Sequence, residues 1–416
     1  MRKMKDSGIE WIGEIPEDWE VGRIGELYTE RKEKVSDKDF MPLSVTMKGI
    51  LPQLASAAKS DAHDDRKLVR KGDFAINSRS DRRGSCGISD YDGSVSLINT
   101  ILTPRNNMNP HYYNWLFHTT LFADEFYKWG HGIVDDLWTT NWSDMKNITI
   151  PVPLVTTQQR IADFLDDKVS EIDSVISKTR ETIEEYKKLK QSIITEVVTG
   201  KVKIENGKVC GKYDTYKDSG IEWIGKIPSE WEVKRLKFGS KVRNEKYSES
   251  YGVLEYFGLE NIESHSAKFI ETENIYDIKQ SQICRKDDIV FGKLRPYLAK
   301  IFEVPIDECC SSEFAVFYNF EGYNKFFKYL FLSYWFITIV DASTYGTKMP
   351  RANIDFIKNM IIPLPDFENQ YKIADFLDKK CSEIDNLITK KEQLVVELES
   401  YKKSLIYEVV TGKRSV

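Results

Sequence analysis

The chain has 416 residues and a formal net charge of −5, with 41% hydrophobic and 30% charged residues. At roughly 150 residues per domain, this length predicts two to four folded units, and the composition excludes collagen-like, mucin-like and wholly disordered proteins. The acidic total also excludes a uniformly cationic protein of the histone type, although a local basic patch would still suffice to bind nucleic acid.

No segment predicts export or membrane insertion. The longest uncharged apolar run, residues 329–340, has 12 residues, well short of the roughly 20 that a membrane span needs, and we expect it to form a buried core helix. The N-terminal residues are basic but lack the apolar stretch of a secretory signal. We therefore expect a cytoplasmic protein without membrane contact, in which the cysteines are reduced and bind no metal.

The chain contains a long internal repeat. Residues 5–13 recur letter for letter at 217–225, residues 161–166 at 373–378, and residues 196–201 at 408–413, always 212 positions later. Similarity fades between these blocks, but both intervening stretches end in a shared pattern that includes Lys146-Asn147 and Lys358-Asn359. This spacing predicts a duplicated domain pair and not a solenoid. A plain gene duplication with drifting surface loops would not explain why the helical blocks match best.

Each repeat closes with a helical pattern in which positions step alternately by four and three, which predicts a heptad seam. About 40 residues make a rod of roughly 60 Å, too long for either globular part to bury. We expect the two helices to form one antiparallel coiled coil within the chain, with a globular unit at each end; pairing of each helix with another molecule is the alternative. The apolar seam positions are Ile161, Leu165, Ile172, Tyr186, Leu189, Ile193, Ile373, Leu377, Ile384, Leu387, Leu398, Tyr401 and Leu405, with Ile176, Ile183, Ile388 and Val395 widening the stripe.

Two loops in each variable region combine cationic, amide and hydroxyl side chains. One follows an expected strand, at residues 74–76 or 289–291, and the other precedes the helical block. Such loops suit DNA, because cations contact phosphates while Arg and Asn match base edges. For each residue, a merely solvated charge is the alternative. The candidate DNA-binding residues are Arg79, Arg82, Arg83, Thr140 and Asn141 in the first region, and Lys293, Arg295, Tyr297, Lys300, Thr347, Lys348 and Arg351 in the second.

The sequence gives little support for catalysis. It lacks the glycine-rich patterns that hold nucleotides and the His-Glu-x-x-His pattern of zinc proteases. Asp366, Asp378 and Lys380 imitate a metal-dependent nuclease site, but they enter the second helical block, and the first copy has Leu154 in place of Asp366. We expect no catalytic and no metal-binding residues in this chain.

Three motifs together resemble the specificity (S) subunits of type I restriction-modification systems. They are the paired openings at residues 8–19 and 220–231, the helix starts at Gln158 and Gln370, and the exits at residues 196–201 and 408–413. The resemblance covers essentially the whole chain. It implies an α+β fold with two globular α/β target recognition domains, joined by two long antiparallel coiled-coil helices in a pseudo-two-fold internal repeat.

By this resemblance, residues 1–155 and 217–367 are target recognition domains, 156–202 and 368–412 are coiled-coil spacers, and 203–216 is a linker. Each domain would read one half of a bipartite, asymmetric site in double-stranded DNA, and the helices would set the spacing and dock two methyltransferase (M) subunits. The chemistry would lie on the M subunits, which would methylate adenine N6, and on restriction (R) subunits, with S-adenosylmethionine, ATP and magnesium bound there and no cofactor on this chain. The alternatives are a self-sufficient DNA-modifying enzyme and a coiled-coil scaffold without base readout.

Overall fold

The computed structural model describes residues 3–53, 65–132, 138–252, 254–272, 280–346 and 348–416. The chain divides into two compact units. Unit 1 comprises Met1–Thr179 and Gln393–Val416, and unit 2 comprises Arg180–Glu392. Each unit therefore combines one variable region with the beginning of one long helix and the end of the other.

Unit 1 is built around two small antiparallel sheets. The first sheet joins residues 86–88, 74–77, 99–104 and 28–30 in that order, and the second joins residues 93–96, 66–69 and 34–35. In the first sheet Ile101 pairs with Ala75, and both side chains are buried. The strands are Met4–Asp6 (β1), Glu14–Pro16 (β2), Glu20–Arg23 (β3), Tyr28–Glu30 (β4), Lys34–Val35 (β5), Leu43–Thr46 (β6), Gly49–Pro52 (β7), Arg66–Val69 (β8), Phe74–Asn77 (β9), Cys86–Ile88 (β10), Gly93–Ser96 (β11), Asn99–Pro104 (β12) and Thr149–Val152 (β13); the helices are Ile24–Leu27 (α1), Pro110–Phe117 (α2), Thr120–Lys128 (α3), Trp142–Met145 (α4) and the first part of Val155–Val198 (α5).

Unit 2 repeats the four-stranded sheet, which joins residues 301–303, 289–292, 314–318 and 241–243 in that order. Its three-stranded sheet joins residues 256–257, 308–310 and 282–284, and the first of these strands runs parallel to the second. The central pair of the four-stranded sheet aligns Val290 with Val316, both fully buried. The strands are Ile204–Glu205 (β14), Lys208–Val209 (β15), Tyr216–Asp218 (β16), Lys226–Pro228 (β17), Glu232–Arg235 (β18), Lys241–Arg243 (β19), Tyr256–Phe257 (β20), Gln282–Cys284 (β21), Ile289–Gly292 (β22), Ile301–Glu303 (β23), Glu308–Cys310 (β24), Phe314–Tyr318 (β25) and Ile361–Leu364 (β26); the helices are Leu236–Gly239 (α6), Asn324–Leu332 (α7), Tyr334–Ala342 (α8), Ile354–Asn359 (α9) and the first part of Phe367–Val410 (α10).

The predicted strands at residues 74–76 and 289–291 are confirmed as β9 and β22. The apolar run at 329–340 is not one helix, as predicted, but the end of α7 and most of α8. Ser333 separates them because its backbone is extended, with φ −64° and ψ 143°, and its carbonyl accepts from the Ile337 amide to start α8. Within the described residues, no helix has both the length and the apolar character to cross a membrane.

The tight turn before β9 and β22 is fixed in each unit by an ion pair to a buried carboxylate. Arg31 Nε lies 2.6 Å from Asp73 Oδ2 in unit 1, and Arg243 Nε lies 2.9 Å from Asp288 Oδ2 in unit 2. The same carboxylates accept the backbone amides of Arg70 and Arg285 at 2.9 Å. A buried carboxylate needs such partners, because an unpaired charge away from water is costly.

The long helices run antiparallel in both units. In unit 1, Lys402 Nζ donates to Asp173 Oδ1 at 2.6 Å, and in unit 2 Lys190 Nζ donates to Asp385 Oδ1 at 2.8 Å. The step from 173 to 190 in α5 thus corresponds to an equal step backwards in α10, from 402 to 385. The predicted antiparallel pair within one chain is therefore present in each unit.

The packed seam of each helix differs in phase from the predicted one. Leu189, Leu387 and Tyr401 were predicted to lie on it but are 47%, 43% and 46% exposed. After Leu165 the true stripe steps first by four and then by three, and the prediction had the opposite order. The buried or half-buried stripe is Ile161, Leu165, Val169, Ile172, Ile176, Thr179, Ile183, Tyr186, Lys190, Ile193 and Val197, repeated 212 positions later as Ile373, Leu377, Cys381, Ile384, Ile388, Lys391, Val395, Leu398, Lys402, Leu405 and Val409.

Each helix exit packs against the opening motif of its own unit. Gly200 in unit 2 has φ +70°, and a Cβ there would overlap Pro228. Gly412 in unit 1 has φ +72°, and a Cβ there would overlap Pro16. Only glycine combines this left-handed backbone with so close an approach, which explains why the Thr-Gly-Lys exit and the Ile-Pro opening recur together.

Candidate nucleic-acid interface

The two loops predicted in each variable region meet in the structure. In unit 1, Arg79 forms a β-bridge with Thr139, and the Thr140 amide donates to Ser78 O at 3.0 Å. In unit 2, Leu294 forms the corresponding bridge with Arg351, and the Ala352 amide donates to Lys293 O at 2.9 Å. Residues that are about 60 positions apart in sequence therefore form one surface in each unit.

In unit 1 this surface carries three arginines with different degrees of freedom. Arg82 is the most open, with 69% of its side chain exposed. Arg83 donates to Asp124 Oδ1 at 2.8 Å and lies over the Tyr127 ring. Arg79 is 3.5 Å from Asp81. Exposed pairs of this kind contribute little to stability, so these guanidinium groups can exchange a carboxylate for a phosphate.

Asn141 is exposed at the start of α4, but its neighbour Thr140 is not available to a ligand. Thr140 is fully buried, and its hydroxyl donates to Phe126 O at 2.8 Å. Its role is to fix the loop, so we remove it from the set of DNA contacts.

In unit 2 the exposed members are Arg295, Tyr297 and Lys348. Arg295 has a left-handed backbone with φ +52°, an uncommon state for a residue other than glycine. Thr347 lies outside the described residues. Lys300 is committed to the fold, since its ammonium donates to Leu259 O and Ile262 O, both at 2.7 Å. We remove Lys300 from the DNA contacts for the same reason as Thr140.

Arg351 is held by a two-pronged ion pair. Its Nε and Nη2 donate to the two carboxylate oxygens of Glu313, at 3.1 and 2.8 Å. The hydrogen bond from Arg351 lowers the pKa of the Glu313 carboxyl below its ordinary value. The carboxylate is therefore charged at neutral pH and competes with any phosphate for this guanidinium.

The residues that imitate a nuclease site have structural roles. Asp366 accepts the Asn369 amide at 2.8 Å at the start of α10. Asp378 accepts from Tyr329 at 2.6 Å and from Lys325 and Lys328 at 3.1 Å. In the part of the chain that the structure describes, no group of three or more His, Cys, Asp or Glu side chains is arranged to hold a metal.

Sequence reasoning missed a lysine beside each interface. Lys146 and Lys358 line a cleft next to the loops, of about 430 Å³ in unit 1 and about 570 Å³ in unit 2. The signal was present in the Lys-Asn pair that both variable regions share, at 146–147 and 358–359. In the sequence, this pair indicated only how the two copies align, because a polar pair is equally common on a solvated surface without function.

Comparison with known proteins identifies the family. The model of the type I restriction modification DNA specificity domain matches residues 16–185 and again residues 228–397. The specificity subunit of the type I restriction enzyme MjaVIII from Methanocaldococcus jannaschii is 25% identical over 428 aligned residues, covering 96% of this chain and 93% of that subunit.

Solved structures share the fold. A chain from a structure that addresses complex assembly and conformational transition of the type I R-M system aligns with a TM-score of 0.74 at 15% identity, covering 96% of this chain and 99% of that one. The HsdS subunit from Thermoanaerobacter tengcongensis aligns with a TM-score of 0.54 at 16% identity, covering 96% and 98%. With two family matches that span most of its length, this chain belongs to the type I restriction-modification DNA specificity family and is a specificity subunit with two copies of the domain.

Proposed function

We propose that each unit reads one half of a bipartite, asymmetric site in double-stranded DNA, and that α5 and α10 fix the distance between the halves. The observation that carries this is the contrast between frame and loops. The order of the four-stranded sheet, the ion pairs before β9 and β22 and the helix exits recur in both units, whereas the paired loops hold different side chains at the same place. One frame with two dissimilar surfaces suits a site whose halves differ in sequence.

We further propose that the chain performs no chemistry. It would dock two methyltransferase subunits through its long helices and adjoining surfaces, and restriction subunits would join the full assembly in the cytoplasm. S-adenosylmethionine, ATP and magnesium would be bound by those partners. The family match supports a chain that leaves chemistry to its partners. Asp366 and Asp378, which imitate a nuclease site in the sequence, also support it, because both carboxylates accept hydrogen bonds within the fold.

A domain graft tests the reading of half-sites. Residues 237–352 are replaced by the matching region of a relative, and methylated adenines are mapped across the genome. We expect one half of the recognised sequence to change while the other half and the gap stay the same. Loss of both halves would contradict independent reading by the two units.

Two further experiments separate the alternatives. The purified chain alone is incubated with DNA, S-adenosylmethionine and magnesium, and any turnover would favour a self-sufficient enzyme. Competitor duplexes of different sequence are then compared at one fixed salt concentration, because affinities depend strongly on salt. Equal binding of all competitors would favour a scaffold without base readout.

A further inference from the structure

The clefts beside Lys146 and Lys358 belong to the repeated frame. The first lies among the end of β4, the loop after β9 and α4, and the second lies among β19, the loop after β22 and α9. Five lining positions of the first cleft recur 212 residues later in the second. They are Glu30, Lys32, Trp142, Ser143 and Lys146, which correspond to Val242, Asn244, Ile354, Asp355 and Lys358.

Of these five positions, only the lysine is the same in both units. The asparagine that follows it is also the same in both units, but internal hydrogen bonds explain this identity. The side-chain amides of Asn147 and Asn359 donate to Ser143 O and Asp355 O, at 2.8 and 2.7 Å. The lysine differs. The Lys146 ammonium has no hydrogen bond or ion pair to any residue that the structure describes, and Lys358 meets only the highly exposed Asp355, at 2.8 Å. Internal packing therefore gives no reason for its identity.

Both clefts are cationic although the whole chain is acidic. The first adds Lys32 and Lys67 against Glu30, and the second adds Lys237, Lys241 and Lys293. A concave surface of one sign concentrates counter-ions and steers charged ligands toward itself. The positive charge is thus kept in the same place in both units while the residues that supply it change.

Lys293 adds a half-buried cation to the second cleft. Its side chain is half-buried, and burial lowers the pKa of its ammonium. Within the described ranges no hydrogen bond or ion pair compensates that ammonium, although Glu313 attracts it at longer range. A partly desolvated cation gains most from a charge-assisted hydrogen bond to an anion.

We propose that each cleft holds a phosphate of the DNA backbone, with Lys146 and Lys358 as equivalent contacts and Lys293 as an additional contact in unit 2. The proposal rests on the proposed function and adds the positioning of the duplex to it. Phosphates are common to every sequence and fix register without specifying bases. An identical lysine is therefore expected in two clefts whose neighbouring loops read different bases.

The test measures the salt dependence of DNA binding by the chain assembled with its methyltransferase subunits. The probes are a duplex with the site found by methylation mapping and a scrambled duplex of equal length. K146Q, K358Q and the double variant are compared with K208Q, which removes an exposed lysine of β15 outside the long helices, and with K146R and K358R. Loss of one phosphate contact flattens the slope of log Kobs against log salt by about 0.9.

We expect a slope change of about 0.9 in each single variant and about 1.8 in the double variant, equal on both duplexes. The arginine variants and K208Q should keep the wild-type slope, and the methylated adenines should stay where they were. Slopes equal to that of K208Q, with site selectivity intact, would overturn the cleft contacts alone. A changed half-site with an unchanged slope would also overturn them, because it would indicate a base contact. Equal wild-type binding to both duplexes would instead overturn half-site reading, and no binding at all would overturn both.

Discussion

At the scale of single residues, the ion pair between Arg351 and Glu313 decides how much charge the second interface offers to DNA. Two of the five guanidinium N–H donors are occupied by the carboxylate. A phosphate that binds this edge of the guanidinium must therefore displace an existing partner, whereas the side chains of Arg295 and Lys348 form no ion pair within the described residues.

We expect Glu313→Gln to strengthen DNA binding, because it removes a negative charge and releases the guanidinium. The slope of log Kobs against log salt should steepen by about 0.9, as for one added phosphate contact. Binding titrations at several salt concentrations measure this, with Glu392→Gln on an exposed face of α10 as the control for net charge. Weaker binding of Glu313→Gln than of the control would show that Glu313 holds Arg351 in its DNA-binding position.

Acidification provides a second measurement of the same pair. Arg351 depresses the pKa of Glu313, so the carboxylate keeps its charge through neutral pH. The contribution of the pair to stability is present above the ordinary carboxyl pKa and is lost only as the pH falls through the depressed value. We therefore expect the free energies of unfolding of Glu313→Gln and the wild type to differ at pH 7 and to become equal in acid.

Individual residues were the least predictable part of the site. The sequence placed one loop of each region directly after its strand, β9 or β22, since an apolar strand followed by cations is a local pattern. It could not show that Thr140 and Lys300 turn inward to bond carbonyl groups. The sequence shows that a residue has a hydroxyl or ammonium group, but not whether that group faces solvent or bonds the backbone inside a loop.

At the scale of elements, the antiparallel helices contain the same ion pair in two different environments. Lys190 and Asp385 have side chains only 8% and 15% exposed, whereas those of Lys402 and Asp173 are 27% and 52% exposed. Asp385 also lies 3.3 Å from Lys268.

We expect Asp385→Asn to cost about 3 kcal/mol of unfolding free energy, because it leaves a buried ammonium without its counter-charge. Asp173→Asn, at the equivalent position, should cost less than about 1 kcal/mol, since solvent screens the exposed pair. Denaturant unfolding of the two variants measures both. Equal small losses would show that Lys190 finds water or another partner when its carboxylate is removed.

The helix exits allow backbone strain and steric overlap to be separated. Gly200 and Gly225 have almost the same φ, +70° and +71°, but a Cβ on Gly225 would meet nothing within 4 Å. Gly225→Ala should therefore cost only the left-handed backbone strain of about 1 kcal/mol. Gly200→Ala should cost about 2 kcal/mol more, because its methyl group overlaps Pro228. Melting temperatures rank the two variants, and equal shifts would mean that the exit relaxes away from the proline.

The existence of the long helices could be predicted, but the phase of their seam could not be predicted with the same security. A four-three repeat sustained over about 40 residues is enough to identify a long helix. The prediction took the three-residue step before the four-residue step, which shifted every second seam position by one residue, onto Leu189, Leu387 and Tyr401. The polar residues Lys168, Thr182 and Glu196 argued against this phase, because it would have buried them.

At the scale of the whole molecule, the proposed spacing function makes a geometric prediction. Seven residues inserted after Lys178, together with seven after Val396 at the facing position, preserve the seam because seven is its period. The added length is about 10 Å, so we expect the gap between half-sites to grow by about three base pairs at 3.4 Å each. Mapping of methylated adenines measures the gap. An unchanged gap would contradict the helices as spacers, and insertion into only one helix controls for disrupted pairing.

The general architecture was the most predictable feature. The repeat offset of 212 gave the internal duplication, the helical seam gave the antiparallel pair, and the family resemblance implied the α+β fold. An antiparallel pair also places the start of one helix and the end of the other beside each variable region, but the sequence did not show where along the helices one compact unit ends and the next begins. That division depends on packing contacts such as the hydrogen bond from Tyr112 to Val410 O at 2.8 Å.

The composition of unit 1 has a consequence for the order of synthesis. Its two segments, Met1–Thr179 and Gln393–Val416, are separated in the sequence by the whole of unit 2, and Val409 and Val410 are fully buried in it. Unit 2 is continuous in sequence. The earlier segment of unit 1 must therefore wait for residues 393–416, which are made only after unit 2, before its apolar surface is covered, and translation that stops within unit 2 leaves that surface open to chaperones and proteases.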